Sequence, residues 1–392
     1  MKKIKIAFFA DILIKDFDGA SRTIFQIIER IPSNRFEFKF YCGLPPETEL
    51  GHAIKSLPVV PVPLNTTYKM ALPFLSQGIL RSDLESFSPD VIHISSPSPL
   101  GYFAINYATK RDIPAVTIYH THFLSYVDYY LKSLPILTSS VKSLIVNQQK
   151  RFYDSCDRVL VPTQIMVDEL RQVGFRTDRM TIWERGLDTQ LFNPSKNDKV
   201  YIKSIVNNDR INILFASRLV WEKNLETLIK VYNLAEARGL PLNFIVAGDG
   251  TASQSLKQQM PDAFFLGKLD HSELSKLYAS SDIFLFPSNS ETYGNVVSEA
   301  LASGLPCVVA NAGGSASFIE CGINGFKIDP HNAEDYLDAI IKVISDPNLK
   351  DIMSKHAIQT TQHLDWDLLV DRYFKILNHV YEQKNDLASK VA

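Results

Sequence analysis

At 392 residues the chain exceeds what one hydrophobic core usually serves, so two domains are expected, and 45% apolar against 21% charged residues argues against disorder. A net charge of -2, from 41 basic and 43 acidic residues, gives no global field to hold DNA or RNA, and no nucleic-acid partner is expected. Four widely spaced cysteines (Cys42, Cys156, Cys307, Cys321), without a CxxC pair, indicate neither a zinc site nor a disulfide scaffold and fit a reducing cytoplasm.

Lys2 and Lys3 precede an apolar run ending at Ile14, but Lys5 and Asp11 interrupt it and no small-residue cleavage pattern follows. With no uncharged apolar stretch of about 18 residues anywhere, neither a cleaved leader nor a membrane span is expected. Ile4 to Phe9 instead reads as a buried first strand. Further strand-like runs follow at Phe36 to Tyr41, Asp90 to Ile94, Ala115 to Tyr119, Arg158 to Val161 and Met180 to Trp183, with helical patterns between them. The polar, proline-bearing Asn193 to Asp198 looks like a domain connection. A second series then begins: Ile211 to Ala216, Asn243 to Ala247, Ala263 to Leu266, Asp282 to Phe286, Pro306 to Ala310 and Gly325 to Ile328.

This alternation is the signature of βαβ units, so the class is α/β with two doubly wound sheets. The expected domains are 1–195 and 205–365. Asp365 to Glu382 is helical by period, with Leu368, Leu369, Tyr373, Phe374, Leu377 and Val380 along one side, and a terminal helix over 366–392 packing back on the first domain is one expectation.

The most informative segment is Ser288 to Pro306, SNSETYGNVVSEALASGLP, which follows the apolar run DIFLFP. A helix is expected to begin near Gly294. Glu291 then lies in the loop at the strand's carboxyl end and Glu299 inside the helix, roughly 12 Å apart at 1.5 Å per helical residue. Unpaired NH groups near Gly294, Asn295 and Val296 would suit phosphate oxygens. Arg218 and Lys223, in ASRLVWEKNLET after the first strand of the second series, fall where a doubly wound sheet presents ligand-binding groups. Two cations there would neutralise a diphosphate and stabilise charge on a leaving oxygen. Surface ion pairs with Glu222 and Glu226 account for the same residues equally simply.

In the first half, DFDGASRT places Gly19 at a helix start, where backbone can approach a ligand closely. In YHTHF, His120 or His122 follows a strand; the HxH spacing admits a metal, but no third ligand is evident, which leaves a histidine that bonds a sugar hydroxyl or orients a reacting group, or a satisfied structural histidine. No metal is expected. Gly248 to Ser253, GDGTAS, partly imitates a dinucleotide fingerprint, with Asp270 about 20 residues on, but its third glycine is a serine and it follows a later strand.

Together, SRLVWEKN, AGDG and ETYGNVVSEALASGLPCVVANAGG, with Glu291 and Glu299 in an ExxxxxxxE pattern, resemble the retaining glycosyltransferases of family 4. That resemblance implies a GT-B fold of two facing Rossmann-like domains, an acceptor-binding first domain and a nucleotide-sugar donor-binding second one. It implies that Arg218 and Lys223 bind the donor diphosphate, Glu299 the ribose, that Glu291 lies by the transferred sugar, and that His120 is the active-site histidine. It further implies a hexose moved from a UDP- or GDP-sugar to a hydroxyl of a glycan or lipid-linked acceptor, in cell-envelope or surface polysaccharide synthesis, with retention and without a bound metal or other cofactor. One departure is Asp18, Gly19, Ala20, where many relatives carry two adjacent glycines.

Tyr126, Tyr129, Tyr130, Leu131, Leu134 and Ile136, followed by Lys142, Lys150 and Arg151, read either as peripheral contact with the inner face of a membrane or, more simply, as helix packing on the first sheet. A sugar-nucleotide epimerase and a non-catalytic sugar-nucleotide-binding protein are the alternative functions.

Overall fold

The computed structural model describes residues 2–15, 17–62, 65–120 and 135–391. The chain divides into two compact units, one of residues up to Glu184 together with Trp366 onward, the other of Arg185–Asp365.

The first unit holds strands β1 (Ile4–Ile12), β2 (Phe36–Leu44), β3 (Ala53–Ser56), β4 (Val59–Val62), β5 (Asn65–Ala71), β6 (Val91–Ile94), β7 (Ala115–Ile118), β8 (Arg158–Val161) and β9 (Met180–Ile182). Seven of them form a parallel sheet in the order β3-β2-β1-β6-β7-β8-β9, while β4 and β5 pair as an antiparallel hairpin. The central strands are apolar without alternation because both of their faces are covered, as the buried runs Ile6–Ala10 and Val91–Ile94 show. Strand β3 and the hairpin are absent from the sequence-derived strands. Strands β3 and β4 are partly exposed along their length and Pro61 interrupts β4, so neither reads as the fully buried apolar run of an interior strand.

The second unit holds β10 (Ile211–Ala216), β11 (Leu242–Ala247), β12 (Phe264–Gly267), β13 (Ile283–Phe286), β14 (Cys307–Ala310) and β15 (Gly325–Ile328). All are parallel, in the order β12-β11-β10-β13-β14-β15. The direction of winding reverses between β10 and β13. The loops after those two strands therefore flank the crevice where such sheets take their ligands.

The chain passes between units at Glu184–Arg185, earlier than the boundary at 195 expected from composition. The polar segment Asn193–Asp198 is integral to the second unit. Asn197 Nδ2 donates to the Ala279 carbonyl at 2.7 Å, the Asp198 amide to Ser280 Oγ at 2.8 Å, and Phe192 is buried against Tyr278. Its polarity reflects capping, since Asn193 and Asp198 each cap the short helix that follows.

Helix Trp366–Val391 belongs to the first unit and buries Leu369, Val370, Tyr373, Phe374, Leu377 and Val380, five of them in one cluster with Phe8, Phe36 and Phe38. Leu368, read from the period as part of that side, is 66% exposed, and Val370 takes its place. Tyr373 Oη lies 2.9 Å from His93 Nδ1, the His93 ring stacks on Phe8 at 4.1 Å, and Trp183 Nε1 donates to the Leu369 carbonyl at 2.7 Å.

Tyr126 to Leu134, on which the membrane-contact expectation rested, lie outside the described residues. The end of the next helix, Pro135–Asp154, packs in the ordinary way: Phe152 and Tyr153 are buried, with Phe152 edge-on to Tyr102. Among the described residues no helix is long and apolar enough to cross a membrane.

Candidate active site

Strand β10 ends at Ala216, and Arg218 follows two residues later with its side chain 55% exposed, 3.9 Å from Glu222 Oε1. The loop carrying it is braced from above by the turn after β11. The Leu219 amide donates to the Asp249 carbonyl at 2.9 Å and the Ala252 amide to the Leu219 carbonyl at 2.9 Å. A Cβ at Gly248 would stand 1.8 Å from the Ser217 carbonyl oxygen, and one at Gly250 would stand 2.4 Å from that of Leu219. The glycines that imitate a dinucleotide fingerprint thus let one backbone lie directly on another.

The chain then forms a single 3-10 turn, Trp221–Lys223, which carries the Lys223 ammonium inward. Lys223 is almost fully buried, and its Nζ donates to Glu291 Oε1 at 2.5 Å. Burial works against ionisation of Glu291, but the charge and hydrogen bond of Lys223, the field of Arg218 and the Ser288 hydroxyl outweigh it and hold the carboxyl below its ordinary range. The fold therefore gathers Arg218, Lys223 and Glu291, residues far apart in sequence, at one edge of the β10–β13 crevice.

Asn224 holds this loop to its neighbours and is not among the residues singled out from the sequence. It adopts a left-handed conformation, φ 55°, and its amide donates to the carbonyls of Pro287 at 3.0 Å and Pro330 at 2.7 Å. Thr227 Oγ1 bonds Asn224 Oδ1 and the Pro330 carbonyl. Ser290 Oγ donates to the Glu222 carbonyl at 2.9 Å. The readable signal was an asparagine, the non-glycine type most tolerant of positive φ, directly before a helix.

Glu291 stands in the loop after β13, and Gly294 is the N-cap of helix Asn295–Ala302 at φ 92°, without a side-chain cap. The first amides of that helix, on Asn295 and Val296, precede the first intrahelical bonds, which run from Val297 and Ser298 to the Gly294 carbonyl. Glu299 lies within the helix, buried, with Tyr278 Oη 3.4 Å from its Oε2. From the loop after β14, the Gly314 amide donates to the Glu291 carbonyl at 2.7 Å; a Cβ there would meet the Thr292 oxygen at 2.1 Å. The paired glycines Gly313 and Gly314 thus clamp the Glu291 loop.

In the first unit, His120 follows β7 at its carboxyl end and is half-buried; His122 lies outside the described residues. Gly19 is the first residue of helix Gly19–Ile28. That helix start already carries an anion, because the Asp18 carboxylate accepts from the Ser21 amide at 2.8 Å and from Tyr68 Oη at 3.0 Å. Gly294 and Gly19 thus open quite different helix ends, one bare and one capped. Among the described residues no group of three or more His, Cys, Asp or Glu side chains is placed to hold a metal ion.

Two units, each built on a parallel α/β sheet, make the GT-B fold, and the solved structures agree on it. Sucrose-phosphate synthase from Thermosynechococcus elongatus superposes with a TM-score of 0.76 at 18% identity, over 97% of this chain and 100% of that one. Residues 17–191 match the model of Glycosyltransferase Family 4, and residues 198–360 match that of Glycosyl transferases group 1. The chain belongs to glycosyltransferase family 4. It is 29% identical to a GDP-mannose-dependent alpha-mannosyltransferase of Corynebacterium glutamicum over 94% of this chain and 87% of that protein. It is 34% identical to the sulfoquinovosyl transferase SQD2 of Arabidopsis thaliana over 73% of this chain and 56% of that protein.

Proposed function

We propose that the enzyme transfers a hexose, with retained anomeric configuration, from a nucleoside-diphosphate sugar to a hydroxyl of a glycan or lipid-linked acceptor. GDP-mannose is the first donor to test, because the mannosyltransferase likeness runs through both units. The observation that carries the proposal is the Lys223–Glu291 pair beside the bare Gly294 helix start.

In this mechanism the diphosphate sits at the amides of Asn295 and Val296, with Arg218 and Lys223 supplying positive charge. As the bond from the sugar's anomeric carbon to the diphosphate oxygen breaks, electrons flow to that oxygen and the preorganised cations stabilise it. Glu291, kept ionised, orients Lys223 and lies beside the electron-poor sugar. Glu299 holds the ribose, and the departing diphosphate accepts the acceptor's proton. No metal or other cofactor is required.

The test is a thermal-shift panel of UDP, GDP, ADP and their sugars, followed by NMR of the product's anomeric centre with excess EDTA present. Stabilisation by one nucleotide, and an EDTA-resistant product of retained configuration, are expected. No stabilisation by any nucleotide, or an inverted product, would overturn the proposal. Free epimerised sugar from donor and water would point to the epimerase alternative instead.

A further inference from the structure

The turn after β14 carries a group to which the mechanism above gives no task. Ser315 is fully buried, and its Oγ has no hydrogen-bond partner among the described residues. A buried hydroxyl in that state is destabilising relative to an alanine methyl, so its presence calls for a reason outside folding.

Its position supplies one. A Cβ on Gly294 would stand 2.3 Å from Ser315 Oγ and 2.9 Å from Ser315 Cα, so the serine fills the space an N-cap side chain at 294 would take. Gly294 itself provides no cap to helix Asn295–Ala302. The hydroxyl is thus brought to the helix start from a different loop. That loop is fixed to the catalytic one through the Gly314 amide and the Glu291 carbonyl, at 2.7 Å.

We infer that Ser315 is a diphosphate-binding residue, its hydroxyl donating to a phosphate oxygen held at the Gly294–Val296 helix start. The inference rests on the nucleoside-diphosphate reading of this site and adds to it a specific side chain. For the hydroxyl to meet the phosphate the Gly294 turn must shift, and Gly294, at positive φ, carries no Cβ to wedge against Ser315. The bound anion satisfies both the uncapped amides and the serine, and the hydrogen bond is charge-assisted.

The experiment compares the wild-type full chain with Ser315→Ala and Ser315→Cys, measuring melting temperature without ligand and Kd for UDP, GDP and inorganic pyrophosphate by calorimetry. Without ligand, Ser315→Ala is expected to melt at or above the wild-type temperature. Its Kd for the diphosphate that the wild type binds should rise about tenfold, the loss of one hydrogen bond to a charged group. Ser315→Cys, close in shape but a poor donor, should show the same loss, and pyrophosphate should show it too. Binding within twofold of wild type in either folded variant would overturn the inference while leaving the donor assignment standing. If wild type binds none of the three probes and ADP does not stabilise it, both fall together. A lower melting temperature with unchanged Kd would mark Ser315 as structural and also overturn it.

Discussion

Lys223 and Glu291 are the most consequential pair of side chains in the second unit, because their charges lie where water reaches them little. Removing one partner leaves the other charge buried and uncompensated. Lys223→Met is therefore expected to lower unfolding free energy by about 3 to 5 kcal/mol, and adding Glu291→Leu should restore much of it. Urea unfolding of the single and double variants measures this; additive losses would show that the pair is not coupled. Arg218 has a side chain more than half exposed, so Arg218→Ala should lower the melting temperature far less than loss of Lys223 does while cutting turnover about 100-fold or more. His93 gives a pH signature. Burial pushes its imidazole down to about 3, against an ordinary value near 6.5. The unfolded chain then binds the extra proton first, so stability is full above pH of about 6.5 and is lost as pH falls toward 3. Replacing His93 with Gln should flatten that part of the stability curve, read from urea midpoints at a series of pH values.

The helix Asn295–Ala302 and the turns around it show how few backbone solutions the site admits. Gly294 combines a positive φ with a neighbour that leaves no room for a Cβ. Gly294→Ala is expected to cost about 1 to 3 kcal/mol and to weaken nucleotide binding, because the strained turn sets the first helical amides. An unchanged urea midpoint would show that the turn relaxes freely. Glycine in ETYG announces this position in the sequence, and the helix and its start were readable there. Asn224 offered a signal for its positive φ but none for its role, which depends on two carbonyls, those of Pro287 and Pro330, that no local pattern associates with it. The glycines of GDG were visible but misleading taken alone. Their purpose is contact with Ser217 and Leu219, on a loop about 30 residues away in sequence.

At the scale of the molecule, helix Trp366–Val391 returns to complete the core of the first unit rather than that of the second, which it follows directly. Tyr373 is the centre of that contact, fully buried between Trp183 and His93. Tyr373→Ala should destabilise by about 3 to 5 kcal/mol, a loss of the size seen for large aromatic truncations. Differential calorimetry would locate the effect in one unit, and equal shifts in two resolved transitions would contradict it.

By itself the sequence determined the two α/β series, the strands of both sheet interiors and the charged and glycine residues at their carboxyl ends. Those features are written in runs of neighbouring residues: a strand covered on both faces must be apolar throughout, and a tight turn must carry glycine. The tertiary structure alone decided the crossing at Glu184–Arg185, the edge strand and hairpin of the first unit, the bonding of Lys223 to Glu291 and the setting of Ser315 against Gly294. Each of these joins groups distant along the chain, where the free energy depends on who the spatial neighbour is, and residue order records no spatial neighbour.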